Sequence, residues 1–143
     1  ACAEARAISI VITFNVGGGG KSIEVNGLLG MTVNATVIYW FDYKKKKVVF
    51  DNLYAGLSGP AVKPIALRMT HQVCQAVKIP VMAMGGISDW KDALEFIMAG
   101  ATCLQIGTIN FNNPMAPIEI IAGLEAYCIH EGLANISEVR GIV

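Results

Sequence analysis

Two apolar runs that end in glycine carry the chemistry most directly legible in this chain. Gly85-Gly86 follows Ile79-Pro80-Val81-Met82-Ala83-Met84, and Gly107-Thr108 follows Thr102-Cys103-Leu104-Gln105-Ile106. Glycine removes the Cβ that would hold backbone N–H groups away from an anion, so such a pair suits a phosphate. Thr108 adds a hydroxyl able to donate to a phosphate oxygen. A second candidate is Asn15-Val16-Gly17-Gly18-Gly19-Gly20-Lys21-Ser22, whose Gly20-Lys21-Ser22 end fits the nucleotide-binding pattern GxxxxGK[ST]. The β-rich run Ala7–Phe14 precedes it, and Val48-Val49-Phe50-Asp51 imitates a strand with a magnesium-binding aspartate. Asn15 replaces the first glycine, however, and residues 23–31 contain two glycines and an asparagine. No good helix therefore follows to aim its N-terminus at phosphate, and a flexible loop is the preferred reading.

The remaining reactive side chains read as structural. His71 and His130 fall in helical stretches and are expected at the surface rather than in acid–base roles. The four cysteines, Cys2, Cys74, Cys103 and Cys128, form no CxxC pair. They are expected to be reduced, partly buried thiols of a cytoplasmic protein, with no metal site. Lys44–Lys46 reads as a solvated hairpin tip between the arms Val37–Tyr43 and Lys47–Phe50.

The elements that must position the two glycine pairs are regular. Residues 60–78 have helical spacing at Ile65, Met69, Val73 and Val77, with Pro60 near the start. A strand is expected over 79–84. A helix over 88–100 would have Ser88 as N-cap, Ala93, Phe96 and Ile97 on its apolar face, and Gly100 at its C-terminal end. A strand over 102–106 follows, then a loop with Asn112, Asn113 and Pro114, a long helix over about 117–131 and a short one near Ser137. Strand and helix alternate as in a parallel α/β fold. Two such strands joined by one helix, each ending in glycine, match the last strands of a (β/α)8 barrel, where a phosphate is commonly held.

Length then constrains the reading. A complete barrel needs about 250 residues, so 143 residues supply part of one. The chain opens on Ala1 without Met or a signal-peptide pattern, which predicts an internal start. Eleven basic and eleven acidic residues provide no electrostatic case for nucleic acid or an anionic membrane. A mean hydropathy of +0.52 points to apolar surface that packs on other sequence. No membrane span is expected, because the uncharged stretch 25–41 contains Asn26, Asn34, glycines and threonines. Residues 1–40 form an irregular N-terminal part with two candidate strands, Ala7–Phe14 and Met31–Thr36, and 41–143 the more regular phosphate-binding part.

From Gly56 onward the chain resembles class 1 dihydroorotate dehydrogenases, particularly the catalytic subunit of the NAD-linked type. The resemblance is carried by Gly56-Leu57-Ser58-Gly59-Pro60-Ala61-Val62-Lys63-Pro64, by Met84-Gly85-Gly86-Ile87, and by Asp92-Ala93-Leu94-Glu95-Phe96 with Gly100-Ala101. Gln105-Ile106-Gly107-Thr108 and Asn110-Phe111 continue it. It implies an FMN-containing TIM barrel that oxidises dihydroorotate to orotate in pyrimidine biosynthesis, of which this chain holds strands five to eight with their helices. It also implies an iron–sulfur flavoprotein partner that removes electrons. By the same resemblance Val33, Gly59, Gly85, Gly86, Gly107 and Thr108 are cofactor contacts. The family's substrate-binding asparagine has three candidate places, Ile12-Thr13, Asn26-Gly27 and Val33-Asn34-Ala35, of which Asn34 fits best. Ala7–Phe14 then becomes strand five, without the family's lysine.

The family's catalytic base is a cysteine on an earlier loop, and none of the four cysteines falls in a matching motif. No catalytic residue is assigned, and the isolated chain is expected to be inactive. Two competitors stand beside this reading: a non-catalytic α/β half-barrel that pairs with itself to hide open edges, and a related FMN-dependent pyrimidine oxidoreductase.

Overall fold

The computed structural model describes residues 10–12 and 36–143. The Gly17–Gly20 loop, Cys2, Val33 and Asn34 lie outside the described residues. Strands β1 (Ile10–Ile12), β2 (Thr36–Ile38), β3 (Phe41–Asp42), β4 (Lys47–Val48) and β5 (Ala55–Leu57) come first. A 3-10 turn, Pro60–Val62, then leads into α1 (Lys63–Ala76) and β6 (Met82–Met84). Helix α2 (Trp90–Met98), β7 (Cys103–Ile106), α3 (Ile109–Asn112), α4 (Ala116–Glu131) and a second 3-10 turn, Ile136–Val139, complete the order.

The parallel α/β expectation holds for the second half: β6 and β7 run parallel, joined through α2. Among the described residues the expected partial barrel of strands five to eight is not seen. The described strands form three separate sheets, ordered β1-β7-β6, β2-β5 and β3-β4, and no barrel closes among them. Ile10–Ile12, within the run expected as strand five, pairs parallel with β7, Ile10 opposite Leu104. The reason is physical: β7 has an open hydrogen-bonding edge, and a β-branched Ile-Val-Ile run is well suited to fill it. The expected hairpin is present in shortened form as β3 and β4, with Asp42 Oδ1 accepting from the Lys44 and Lys45 amides at its turn. Val37 and Ile38, expected in its first arm, lie instead in β2, antiparallel to β5.

The core lies between the β6–β7 sheet and helices α2 and α4. Phe96, Leu104, Ile106 and Ile120 are its largest fully buried side chains. Apolar residues at 93, 94, 96 and 97 face this core, as the helical period predicts. The cap of α2 is Asp89, not Ser88: its Oδ1 accepts from the amides of Lys91 and Asp92 at 2.8 and 2.9 Å. A carboxylate also suits the positive end of the helix dipole better than a hydroxyl. On α1 the expected face is corrected as well. Ala66 and Thr70 are buried while Ile65 is exposed, because the close approach to Gly85 admits only small side chains. The expected loop around Asn112 begins as the short helix α3. Among the described residues, no helix is long and apolar enough to cross a membrane.

Candidate functional site

Strands β6 and β7 end side by side, and the turns at their carboxyl ends hold both glycine pairs. In open parallel sheets, ligands sit in the crevice at this end of the strands. The turn after β5 arrives at the same place. A Cβ on Gly59 would stand 3.8 Å from Thr108 Cγ2, and one on Gly86 would stand 2.9 Å from the Gly59 carbonyl oxygen. Three loops far apart in sequence, after β5, β6 and β7, therefore bring Gly59, Gly86 and Thr108 together.

The glycines there have different physical reasons. Gly85 has φ +118°, and an added Cβ would lie 2.8 Å from Ala66 Cβ. Gly86 has φ +75°, and its Cβ would meet the Lys63 amide nitrogen and Cβ at 2.7 Å. Both are required by backbone conformation and by the approach of α1. Gly107 has neither demand: among the described residues no heavy atom lies within 4 Å of where its Cβ would be. Packing among the described residues therefore leaves Gly107 unexplained.

The electrostatics of the site centre on Lys63, Asp92 and Glu95. Lys63 Nζ lies 2.5 Å from Asp92 Oδ1 and 2.7 Å from Glu95 Oε2. These hydrogen bonds, Asp92's first and Glu95's second, hold the Lys63 ammonium above the usual lysine range, with burial opposing them. Asp92 uses its second oxygen to accept from the Ser88 amide at 2.9 Å. Sequence reasoning missed this cluster because its members are dispersed: 29 positions separate Lys63 from Asp92.

Asn110 was also missed as an individual residue. Its Nδ2 donates to the Ile106 carbonyl at the end of β7, at 3.1 Å. Its Oδ1 is buried without a hydrogen-bond partner, an arrangement that costs about 1–3 kcal/mol unless a donor arrives. The loop that carries Gly107 and Thr108 thus holds a spare buried acceptor.

The cysteines and histidines stand away from this chemistry. Burial pushes the Cys103 thiol up, and does the same to Cys74 against a smaller opposing effect of Arg140. His71 is half-buried on α1, while His130 is exposed and pairs with Glu131. Among the described residues no group of three or more His, Cys, Asp or Glu is placed to hold a metal ion.

Comparison with known proteins agrees with the motifs. A model of the dihydroorotate dehydrogenase family matches residues 21–128. Over 111 residues the chain is 52% identical to the dihydroorotate dehydrogenase B (NAD(+)) catalytic subunit of Petrotoga mobilis, covering 78% of this chain and 37% of that protein. It is 46% identical over 124 residues to the protein of the same name from Parabacteroides distasonis, covering 86% and 38%. For the Desulforamulus reducens protein of that name the identity is 49% over 125 residues, covering 87% and 38%. The chain thus spans less than two-fifths of the length of these relatives.

Proposed function

The chain belongs to the dihydroorotate dehydrogenase family, and from that premise we propose that it is the C-terminal portion of an NAD-linked dihydroorotate dehydrogenase carrying the phosphate site of its FMN. The observation that carries this is Gly107, a glycine at the end of a parallel strand that packing and backbone conformation do not require. FMN supplies the hydride acceptor for the oxidation of dihydroorotate to orotate. This chain's own residues would bind and orient it. The backbone amides around Gly59, Gly86 and Gly107 would face the phosphate, with the exposed Thr108 hydroxyl as a further donor. Gly85, a cofactor contact on the same reading, also lets α1 approach closely enough to bring the Gly86 turn into place.

Val33 as a flavin contact and Asn34 as the substrate amide belong to the same proposal. An amide can donate to and accept from a pyrimidine ring at once. The full TIM barrel, a cytoplasmic location and an iron–sulfur flavoprotein partner follow from the same reading. The word "catalytic subunit" in the relatives' names supports a second subunit.

A specific observation favours a second reading. Gly85 and Gly86 are already required by backbone conformation and by the approach of α1, so a non-catalytic half-barrel would retain them whether or not it bound a flavin. One experiment separates the two. The purified chain is incubated with FMN, desalted, and its visible absorption recorded. Retained flavin absorbance is expected; a colourless protein would favour the structural half-barrel.

A further inference from the structure

We propose that Lys63 is a positioning residue for the phosphate loop rather than a ligand of the phosphate, an inference that rests on the flavin reading above. Beside glycine loops, a lysine invites the opposite interpretation, that its ammonium contacts the anion directly. The geometry points away from that. Lys63 Nζ is held between Asp92 at 2.5 Å and Glu95 at 2.7 Å, so its charge is already matched by two carboxylates.

What the lysine does instead follows from its other contacts. Its amide nitrogen and Cβ press against Gly86, each 2.7 Å from where that residue's Cβ would be. Asp92, fixed by the ammonium, holds the Ser88 amide at 2.9 Å. Gly86, Lys63, Asp92 and Ser88 therefore form a closed ring around the turn after β6. One side of the turn is set by backbone contact and the other by a charge-assisted hydrogen bond. The ammonium also offsets carboxylate charge that would otherwise stand close to a bound phosphate. A preorganised turn binds an anion without ordering its backbone at the moment of binding.

The test compares FMN with riboflavin, which lacks the phosphate, as ligands of the same 143-residue chain, monitored by flavin fluorescence. In Lys63→Met, FMN affinity is expected to fall about tenfold while riboflavin affinity holds, one charge-assisted interaction being worth about that factor. Lys63→Arg should restore most of the loss. Asp92→Ala decides between positioning and direct contact. Positioning lowers FMN affinity as Lys63→Met does, whereas a direct ligand freed from its carboxylate would bind FMN as well or better. A parallel fall for FMN and riboflavin, or no change in either, would overturn the inference. Should the variants fold poorly, hydrogen exchange of the Ser88 amide in the unaltered chain still decides: it should be protected, and exchange at an open-loop rate would sink the proposal. Failure of the unaltered chain to bind FMN at all would instead remove the flavin reading beneath it.

Discussion

At the scale of single residues, the four glycines of the candidate site separate into those the fold needs and one, Gly107, that packing among the described residues does not require. Gly85→Ala places a Cβ 2.8 Å from Ala66 Cβ at φ +118°, and is expected to cost roughly 1–3 kcal/mol of stability. Gly107→Ala meets open space and should leave stability within about 0.5 kcal/mol. It should nevertheless weaken FMN binding by about tenfold, because the new methyl group occupies the approach to the backbone. Urea denaturation and flavin titration of both variants check this: Gly107→Ala should weaken FMN binding without a matching loss of stability, whereas Gly85→Ala should lower stability. Lys63 gives a pH prediction with a definite sign. Its pKa is raised in the folded chain above the ordinary 10.5, so its stabilising contribution is complete below that value. It is lost only as pH climbs through the higher folded value. The stability difference between the unaltered chain and Lys63→Met should therefore stay level from neutral pH to about pH 10 and shrink above it. Cys103 adds a third residue-scale outcome. Burial raises its thiol pKa, so it should react with a thiol reagent at neutral pH only after denaturant is added.

At the scale of elements, the site depends on how α2 is seated. Its first turn supplies Asp92 to the contacts around the turn after β6, and its N-cap Asp89 accepts from two amides. Asp89→Ala is expected to cost about 1 kcal/mol, read as a lowered urea midpoint. The outer side of α2 is located by Trp90, which packs closely against Gly123 of α4. A Cβ on Gly123 would fall 2.3 Å from Trp90 Cγ. The indole also stands 6.3 Å from the Tyr127 ring, centroid to centroid. Gly123→Ala must push the indole aside and should destabilise by about 1–3 kcal/mol. A variant as stable as the unaltered chain would show that α2 and α4 slide past each other more readily than this packing allows.

At the scale of the whole molecule, the described part is an opened structure with one well-formed core. Strands β1 and β6 are sheet edges among the described residues. Ile129 on α4 is 81% exposed, and Trp40 on the hairpin side 65%. Edges and apolar faces of this kind associate unless covered. Sedimentation velocity is expected to show self-association of the isolated chain; a monomer at all concentrations would argue against the faces being sticky. The same incompleteness bears on turnover. Proton abstraction needs a base positioned within hydrogen-bond reach of the substrate, and no residue of this chain is assigned that role. Dihydroorotate-dependent dye reduction by the pure chain is expected to be absent, even when FMN is retained.

Much of this was legible in residue order, because periodicity and glycine placement are local. Helices α1, α2 and α4, strands β6 and β7, the lysine-tipped hairpin and the glycine pairs are encoded within runs of about ten to fifteen residues. Where expectation and structure parted, the deciding contact was long-range. The buried face of α1 passed from Ile65 and Met69 to Ala66 and Thr70 because Gly85 lies against that face. The run Ile10–Ile12 reads as a strand from its residues, but its neighbour is chosen by whichever edge is open, here β7. Residue order alone determined the positions of the glycine turns, and its motifs carried the resemblance to the family that the comparisons show. Only the tertiary structure decided which glycines the fold itself requires, and that Lys63 is matched by Asp92 and Glu95, since those facts depend on distances between segments that the order of residues does not contain.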